Sequence, residues 1–404
     1  MKILYITAEG FDTPNPNNQM AERMLNDFLD NGYDVHLIQS RRKQLFPEIP
    51  KSLAGKKNLV VDTINRKFDK KNNFIKRYFN DLLYAFSIMK VWIKEKDADV
   101  IYLQSNPTII FTMLLLKLFK RTPIVYSVYD VWPGHAYDIG VIKNKSLYNI
   151  FRFLNKPCYK MAAVVTVLSE DMKATVIKEG AKPEKVSVIS PWFDVMTARE
   201  VPSEENRFIE KFNIPKDKFY VQFAGTVGYV FNRHTVIELA KRLQGETNIV
   251  IQIVGDGNLK EKFVSEVEEL KLKNIEFYPL QPVELVSDVY SACDLCIIPL
   301  QKGVIGSGVP SKAPILMACN RVIVNSVELN SHYAKMFKEN NIGVAVDIGD
   351  YDGLAQVILD LYKSPQTIAT MAKNANEFGK KHFSSTQGTR KYMNIFDELG
   401  SKKK

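Results

Sequence analysis

Thirteen short runs rich in β-branched and aromatic residues, most of them separated by helical periods, constrain this chain more than any other feature. KILYIT, DVHLIQ, NLVVDTI, DVIYLQ, PIVYSVYD, AVVTVLS and VSVIS come first. After a polar stretch, TAREVPSEEN, the series restarts with FYVQFAGT, IVIQIVGDG, IEFYPL, LCIIPL, RVIVNS and GVAVDI. Such runs read as strands. Between them lie helical patterns such as MAERMLNDFLDNG, which closes on Gly32 as helices often do. The alternation implies parallel sheets covered by helices on both faces. At 404 residues the chain exceeds one ordinary core, so two doubly wound α/β domains are expected, joined near residues 196 to 206. We read 1–196 as the first domain and 206–381 as the second. Residues 382–404 read as one last helix with no strand after it, plus a basic tail whose terminal lysines are expected to be disordered.

Apolar residues make up 46% of the chain and charged residues 25%, the balance of a soluble globular protein. The opening strand is followed directly by Glu9, so no signal-peptide pattern is present. The most apolar stretch, TIIFTMLLLKLF at 108–119, is interrupted by Lys117 and too short to span a bilayer. It is expected to form a buried helix, and the protein to be cytoplasmic. Cys158, Cys293, Cys296 and Cys319 make no disulfide framework. Cys293 and Cys296 have the spacing of a metal or redox pair, but the second enters a strand and no further pair exists. Core packing is the reading adopted, with no metal site.

Charge is uneven. Residues 1–200 hold 30 basic and 21 acidic residues, whereas residues 201–404 are nearly balanced at 25 and 24. Segment 41–77 alone holds 12 basic and 3 acidic residues. Two readings stand: a solvated loop and helix face, or a surface for an anionic partner. Apolar residues interleaved in FIKRYFNDLLYAFSIMKVWI suggest an amphipathic helix, which favours a membrane surface over nucleic acid.

Ligands of doubly wound sheets bind beyond the carboxyl ends of the strands. In the second half, Gly225 and Gly228 lie between a strand and a helix that opens with Arg233 and His234. Gly255 and Gly257 follow the next strand, and Gly306, Gly308, Ser311 and Lys312 precede ILMAC. Glycines there let backbone approach a ligand, and helix N-termini offer amides to phosphate. In the first half, Asn17, Asn18 and Gln19 follow the first strand; Asn18 reads equally as a ligand contact or a helix cap. Asp130, Trp132 and His135 share a proline-turned loop, where an Asp–His pair suits acid–base or charge-stabilising work but also structural roles.

Taken together, Asp130-Val131-Trp132-Pro133, Gly255-Asp256-Gly257, Ala292-Cys293-Asp294 with Pro299-Leu300, and Pro310-Ser311-Lys312 resemble the family 4 glycosyltransferases, nearest the WbuB-like O-antigen and capsule group. The resemblance runs over nearly the whole chain. It implies the GT-B fold, two Rossmann-like domains facing across a cleft, with the last helix crossing back to the first domain. It implies a retaining, metal-independent enzyme without cofactor that moves a sugar from a nucleotide sugar to a lipid-linked or polysaccharide acceptor. By that resemblance Gly225, Thr226, Ser307, Gly308 and Lys312 surround the diphosphate, joined by Arg233, Gly255 and Ser311. Tyr278 and Leu280 lie near the base, Asp130 and His135 near the transferred sugar, and Asn17, Asn18, Gln19 and Trp132 on the acceptor side. Two departures stand out: the family's pair of glutamates falls at Ser307 and Ile315. Loss of a charge-assisted ribose contact at Ile315 costs roughly 1.5–3 kcal/mol of donor binding. That loss motivates a second reading, a non-catalytic GT-B protein that binds a sugar nucleotide or a protein partner. A sugar-nucleotide 2-epimerase is a third, and nucleic-acid binding ranks below it.

Overall fold

Every one of the thirteen runs forms a strand in the computed structural model, which describes residues 1–12, 16–41, 49–65, 74–92, 97–119, 122–194 and 198–401. The chain divides into two units, one made of residues 1–137, 142–191 and 385–404, the other of 138–141 and 192–384.

The first unit contains β1 (Lys2–Ile6), α1 (Pro16–Asp30), β2 (Asp34–Arg41), β3 (Leu59–Asn65), α2 (Phe74–Trp92), β4 (Val100–Gln104) and α3 (Ile109–Phe119). It continues with β5 (Ile124–Val128), α4 (Gly134–Asp138), α5 (Lys145–Met161), β6 (Val164–Val167), α6 (Glu170–Lys178) and β7 (Val186–Val188). Its strands are all parallel, in the order β3-β2-β1-β4-β5-β6-β7. β4 and β5 are buried at every position, which is why their sequences run apolar without alternation. Helices α2, α3 and α5 pack side by side, α2 on α3 and α3 on α5. The expectation of a buried helix at 108–119 holds for one face only. Ile109, Met113 and Leu116 are buried, but Leu114 is exposed and Leu118 is 75% exposed. A helix that is apolar all round carries no sequence mark of which side faces out. Among the described residues no helix is long and apolar enough to cross a membrane.

The second unit contains α7 (Arg207–Phe212), β8 (Phe219–Ala224), α8 (Arg233–Arg242), β9 (Ile249–Val254), α9 (Lys260–Glu269), β10 (Ile275–Tyr278), α10 (Val286–Ser291) and β11 (Leu295–Pro299). There follow α11 (Val304–Ser307), α12 (Ala313–Ala318), β12 (Val322–Ser326), α13 (His332–Asn340), β13 (Gly343–Val346), α14 (Tyr351–Tyr362) and α15 (Pro365–His382). The sheet is again all parallel, β10-β9-β8-β11-β12-β13. Alternate strand residues feed two cores: Val221, Phe223, Ile251, Ile253, Leu295 and Ile297 on one face, Tyr220, Val250, Val254, Cys296 and Ile298 on the other. The period-2 geometry of a strand buried on both faces requires this split.

The last helix, α16 (Ser385–Ser401), belongs to the first unit and packs on α1. Phe396 meets Phe28 edge-on at 5.2 Å, the Tyr33 hydroxyl donates to Asp397 at 2.8 Å, and Thr389 donates to Asp27 at 2.7 Å. Tyr392 is buried, its hydroxyl 2.9 Å from Ser127 Oγ and 3.3 Å from Thr166 Oγ1 on β5 and β6.

Candidate functional site

Each sheet reverses its strand order once, between β1 and β4 in the first unit and between β8 and β11 in the second. Loops leaving the carboxyl ends at such a switch point diverge and leave a crevice for ligand. Most candidate residues of the second unit lie on the loops after β8, β9 and β11, while Tyr278 ends β10, Leu280 follows it and Arg233 opens α8.

Glycines set how closely these loops approach. Gly225 (φ +143°) ends β8 and donates its N–H to Val254 O at 2.8 Å. A side chain at Gly255 (φ +146°) would meet the Gly225 carbonyl oxygen at 2.0 Å, and one at Gly257 would meet Val227 O at 2.2 Å. Gly255 and Gly257 therefore do more than end a strand; they let the β9 loop press against the β8 loop. Gly255→Ala is expected to cost about 2 kcal/mol through clash and left-handed strain, lowering the melting temperature of this unit by about 4–8 °C. Gly245→Ala, at a position with nothing within 4 Å, serves as the neutral control.

Lys312 follows the short α11 and opens α12. Its ammonium lies 3.8 Å from the centroid of the Phe223 ring, a cation–π contact. The space a Cβ on Gly225 would occupy is taken by the Lys312 side chain, whose Nζ is 2.1 Å from that point. Burial pushes the amine down to about 7, with Cys296 pulling weakly the other way. A desolvated cation packed against half-buried glycine backbone is a site suited to an anion.

The other candidates divide. The Arg233 guanidinium is engaged with Glu266 of α9 through Nε at 2.7 Å and a second nitrogen at 3.1 Å. That bidentate pair holds α8 to α9. Tyr278 packs edge-on against Phe208 and Phe212, its hydroxyl donates to Glu276 at 2.6 Å, and its carbonyl accepts from Gly255 N. Leu280, two residues on, is exposed and open to stack on a flat ligand. Ile315 is half-buried, Thr226 and Ser311 are exposed, and Ser307 is buried with its hydroxyl 3.3 Å from Val304 O. Gly308 is extended and donates its N–H to Val304 O.

In the first unit, Asp130 and His135 leave β5 on the loop that becomes α4. His135 Nε2 stands 3.8 Å from Asp130 Oδ1, a long ion pair rather than a hydrogen bond. Protein packed around Asp130 pushes its pKa up and the His135 imidazole opposes this. The side chain is still 64% exposed, so water limits the upward push. The Trp132–Pro133 bond is cis. Trp132 packs on Phe151 at 5.5 Å, and its carbonyl accepts from Asn155 at 3.0 Å, anchoring the loop to α5. On the first turn of α1, the Asn18 amide reaches back to Gly10 O at 3.0 Å, bracing the β1 loop. Asn17 is half-buried and Gln19 exposed.

Sequence reasoning did not single out Phe223 beneath Lys312, nor the buried tyrosines under Asp130. There Tyr5 stacks on Tyr102 at 4.3 Å, and Tyr102 lies 3.3 Å, hydroxyl to hydroxyl, from Tyr129. Nor was Glu328 assigned, although the chain has no acidic residue between Asp294 and Glu328. Cys293 and Cys296 are buried in the second core, sulfur to sulfur 3.4 Å, and among the described residues no cluster of metal-ligating side chains forms.

The sequence model of the family Glycosyl transferases group 1 matches residues 204–378, and that of Glycosyltransferase Family 4 matches residues 18–196. The chain is 27% identical over 293 residues to the probable glycosyltransferase WbjE of Pseudomonas aeruginosa, spanning 71% of this chain and 72% of that one. It is 24% identical over 183 residues to the putative colanic acid biosynthesis glycosyl transferase WcaI of Escherichia coli, covering 45% of this chain and 44% of WcaI. Among solved structures, HepE of Anabaena in complex with UDP superposes with a TM-score of 0.73 at 16% identity, over 98% of this chain and all of HepE.

Proposed function

The chain belongs to the group 1 glycosyltransferases of the family 4 type, and on that footing we propose that it is a retaining enzyme using a nucleotide-sugar donor. The acceptor we assign is lipid-linked or polysaccharide, in the synthesis of a cell-surface glycan. The observation that carries this reading is Lys312, desolvated over Phe223 and pressed against Gly225 where the β8 and β9 loops meet. WbjE and WcaI support the reaction class by name, and UDP bound to HepE supports a nucleotide donor.

In this mechanism the second unit holds the donor. Lys312 takes the charge that builds on the departing diphosphate, the kind of preorganised stabilisation that dominates enzymatic rate enhancement. Leu280 offers an apolar surface to the base, which backbone groups read. The donor's own diphosphate helps remove the proton from the acceptor hydroxyl. The Asp130 carboxylate stabilises the positive charge of the oxocarbenium-like transition state, with His135 beside it. No metal or cofactor is assigned a step.

The test is turnover of saturating nucleotide sugar without acceptor, run beside a thermal-shift screen of UDP-, GDP- and dTDP-linked hexoses. Slow release of nucleoside diphosphate from one donor supports the enzyme. Thermal shifts without any release favour the non-catalytic reading, and neither signal rejects the donor site.

We also assign the enzyme to the inner face of the cell membrane, as a peripheral protein. The basic segment 41–77 falls partly outside the described residues, which omit 42–48 and 66–73. A different surface supports docking. Phe79 and Leu83 of α2, Leu114 and Leu118 of α3, and Ile150 and Phe153 of α5 are all exposed on adjacent helices. α3 and α5 carry five basic residues and no acid, with Lys145, Lys156 and Lys160 exposed. Apolar side chains rimmed by lysines suit an anionic bilayer. Leu118→Ser with Phe153→Ser should lower binding to vesicles containing phosphatidylglycerol about tenfold or more in flotation. Unchanged flotation, or flotation insensitive to salt, rejects this surface.

A further inference from the structure

We propose that Glu328 is the acid of the donor site, accepting a hydrogen bond from a hydroxyl of the transferred sugar. The proposal rests on the donor-site reading above and names the residue that reads the sugar within it.

The loop and helix that would carry the family's two glutamates have Ser307 and Ile315 instead, and no acid lies anywhere from Leu295 to Val327. Asp294 cannot serve. It sits before β11, at the amino end of the strand, where it accepts the Tyr220 N–H at 2.7 Å. Glu328 leaves the carboxyl end of β12, the strand beside β11, on the edge where the glycine loops emerge.

Its two oxygens differ. Oε1 accepts the Gly303 N–H at 2.5 Å, tying Glu328 to the residue that opens α11 and leads to Ser307 and Gly308. Oε2 is shielded from solvent and has no hydrogen-bond partner among the described residues. The helix that follows makes no use of the side chain, because Ser331 caps α13 by accepting the Ala334 N–H. A carboxylate oxygen has two acceptor sites, and leaving both dry is costly. The fold holds this oxygen still and supplies it no donor. A sugar hydroxyl is a neutral donor of the right size.

Strand order decides which end of the donor it meets. Tyr278, at the base end, closes β10, and Glu328 follows β12, four strand positions away. That is about 19 Å at the usual strand spacing. With the diphosphate at Gly225 and Lys312 on β8 and β11 between them, the sugar falls on the Glu328 side and the ribose does not.

The test uses the full chain and the nucleotide sugar giving the largest thermal shift among UDP-, GDP- and dTDP-linked hexoses. Its dissociation constant is compared with that of the nucleoside diphosphate of the same base. Glu328→Gln keeps an acceptor for Gly303 but replaces Oε2 by a donor. We expect Glu328→Gln to weaken the nucleotide sugar about tenfold while leaving the diphosphate within twofold. Equal weakening of both ligands would mean that Glu328 only shapes the loop, and wild-type affinity for both would mean that it does nothing; either result overturns the proposal. Lys312→Ala run alongside separates the two claims. If it loses the diphosphate while Glu328→Gln changes nothing, the donor site stands without this residue. If no member of the panel binds the wild-type chain, both fall.

Discussion

Lys312→Ala is expected to weaken nucleotide-sugar binding about 10–100-fold at neutral pH, the range of a charge-assisted hydrogen bond to phosphate. The unliganded fold should not suffer. Lys312 is half-buried and the protein around it disfavours its charged form, so what the variant loses in its Phe223 contact is offset and its melting temperature should stay close to wild type. The loss should also depend on pH with a definite sign. Free Lys312 titrates near 7, and a bound diphosphate stabilises its charged form. Wild-type affinity is therefore highest below pH 7 and falls by up to about tenfold per unit above it, since the amine must take up a proton to bind. In the variant the profile should be flat across this range, so the two converge as pH rises.

Asp130→Asn is expected to lower kcat about 10²–10³-fold while changing donor affinity by less than about threefold. The substitution keeps shape and the spacing to His135 but removes the charge that opposes the developing oxocarbenium ion. A group that acts on the transition state and not on the ground state lowers kcat and kcat/KM together. Single-turnover kinetics with saturating donor would measure it. If Asp130→Asn instead raised KM with kcat intact, Asp130 would be a binding group and the assigned role would be lost.

The sheets were legible in the sequence, because strands write themselves as short runs rich in β-branched and aromatic residues, and each of the thirteen runs formed one. The glycine turns were legible too, since only glycine tolerates the approach seen at Gly225 and Gly255. What pattern could not supply is partnership across distance. Arg233 looked free at a helix start, but its partner Glu266 lies 33 positions on and one helix over. Asn18 offered two readings, and the bond from its amide to the Gly10 carbonyl belongs to neither pattern. The outer face of α3 was hidden by the helix being apolar all round. Tyr392 is one aromatic among many in the sequence, and only the placement of α16 beside β5 and β6 makes it a plug. Glu328 was visible as the next acid in the chain, but its bond to Gly303 and its unanswered second oxygen are properties of the fold.

The account's central claim is that a nucleotide sugar binds the second unit through Lys312. Calorimetry of nucleotide-sugar binding in two buffers of different ionisation enthalpy tests it directly, because the diphosphate of a nucleotide sugar carries no proton that titrates near neutrality. With Lys312 titrating at about 7, binding should take up about 0.9 proton at pH 8 and about 0.1 at pH 6, and none in Lys312→Met. Uptake that is the same at both pH values, or that persists in Lys312→Met, would contradict it.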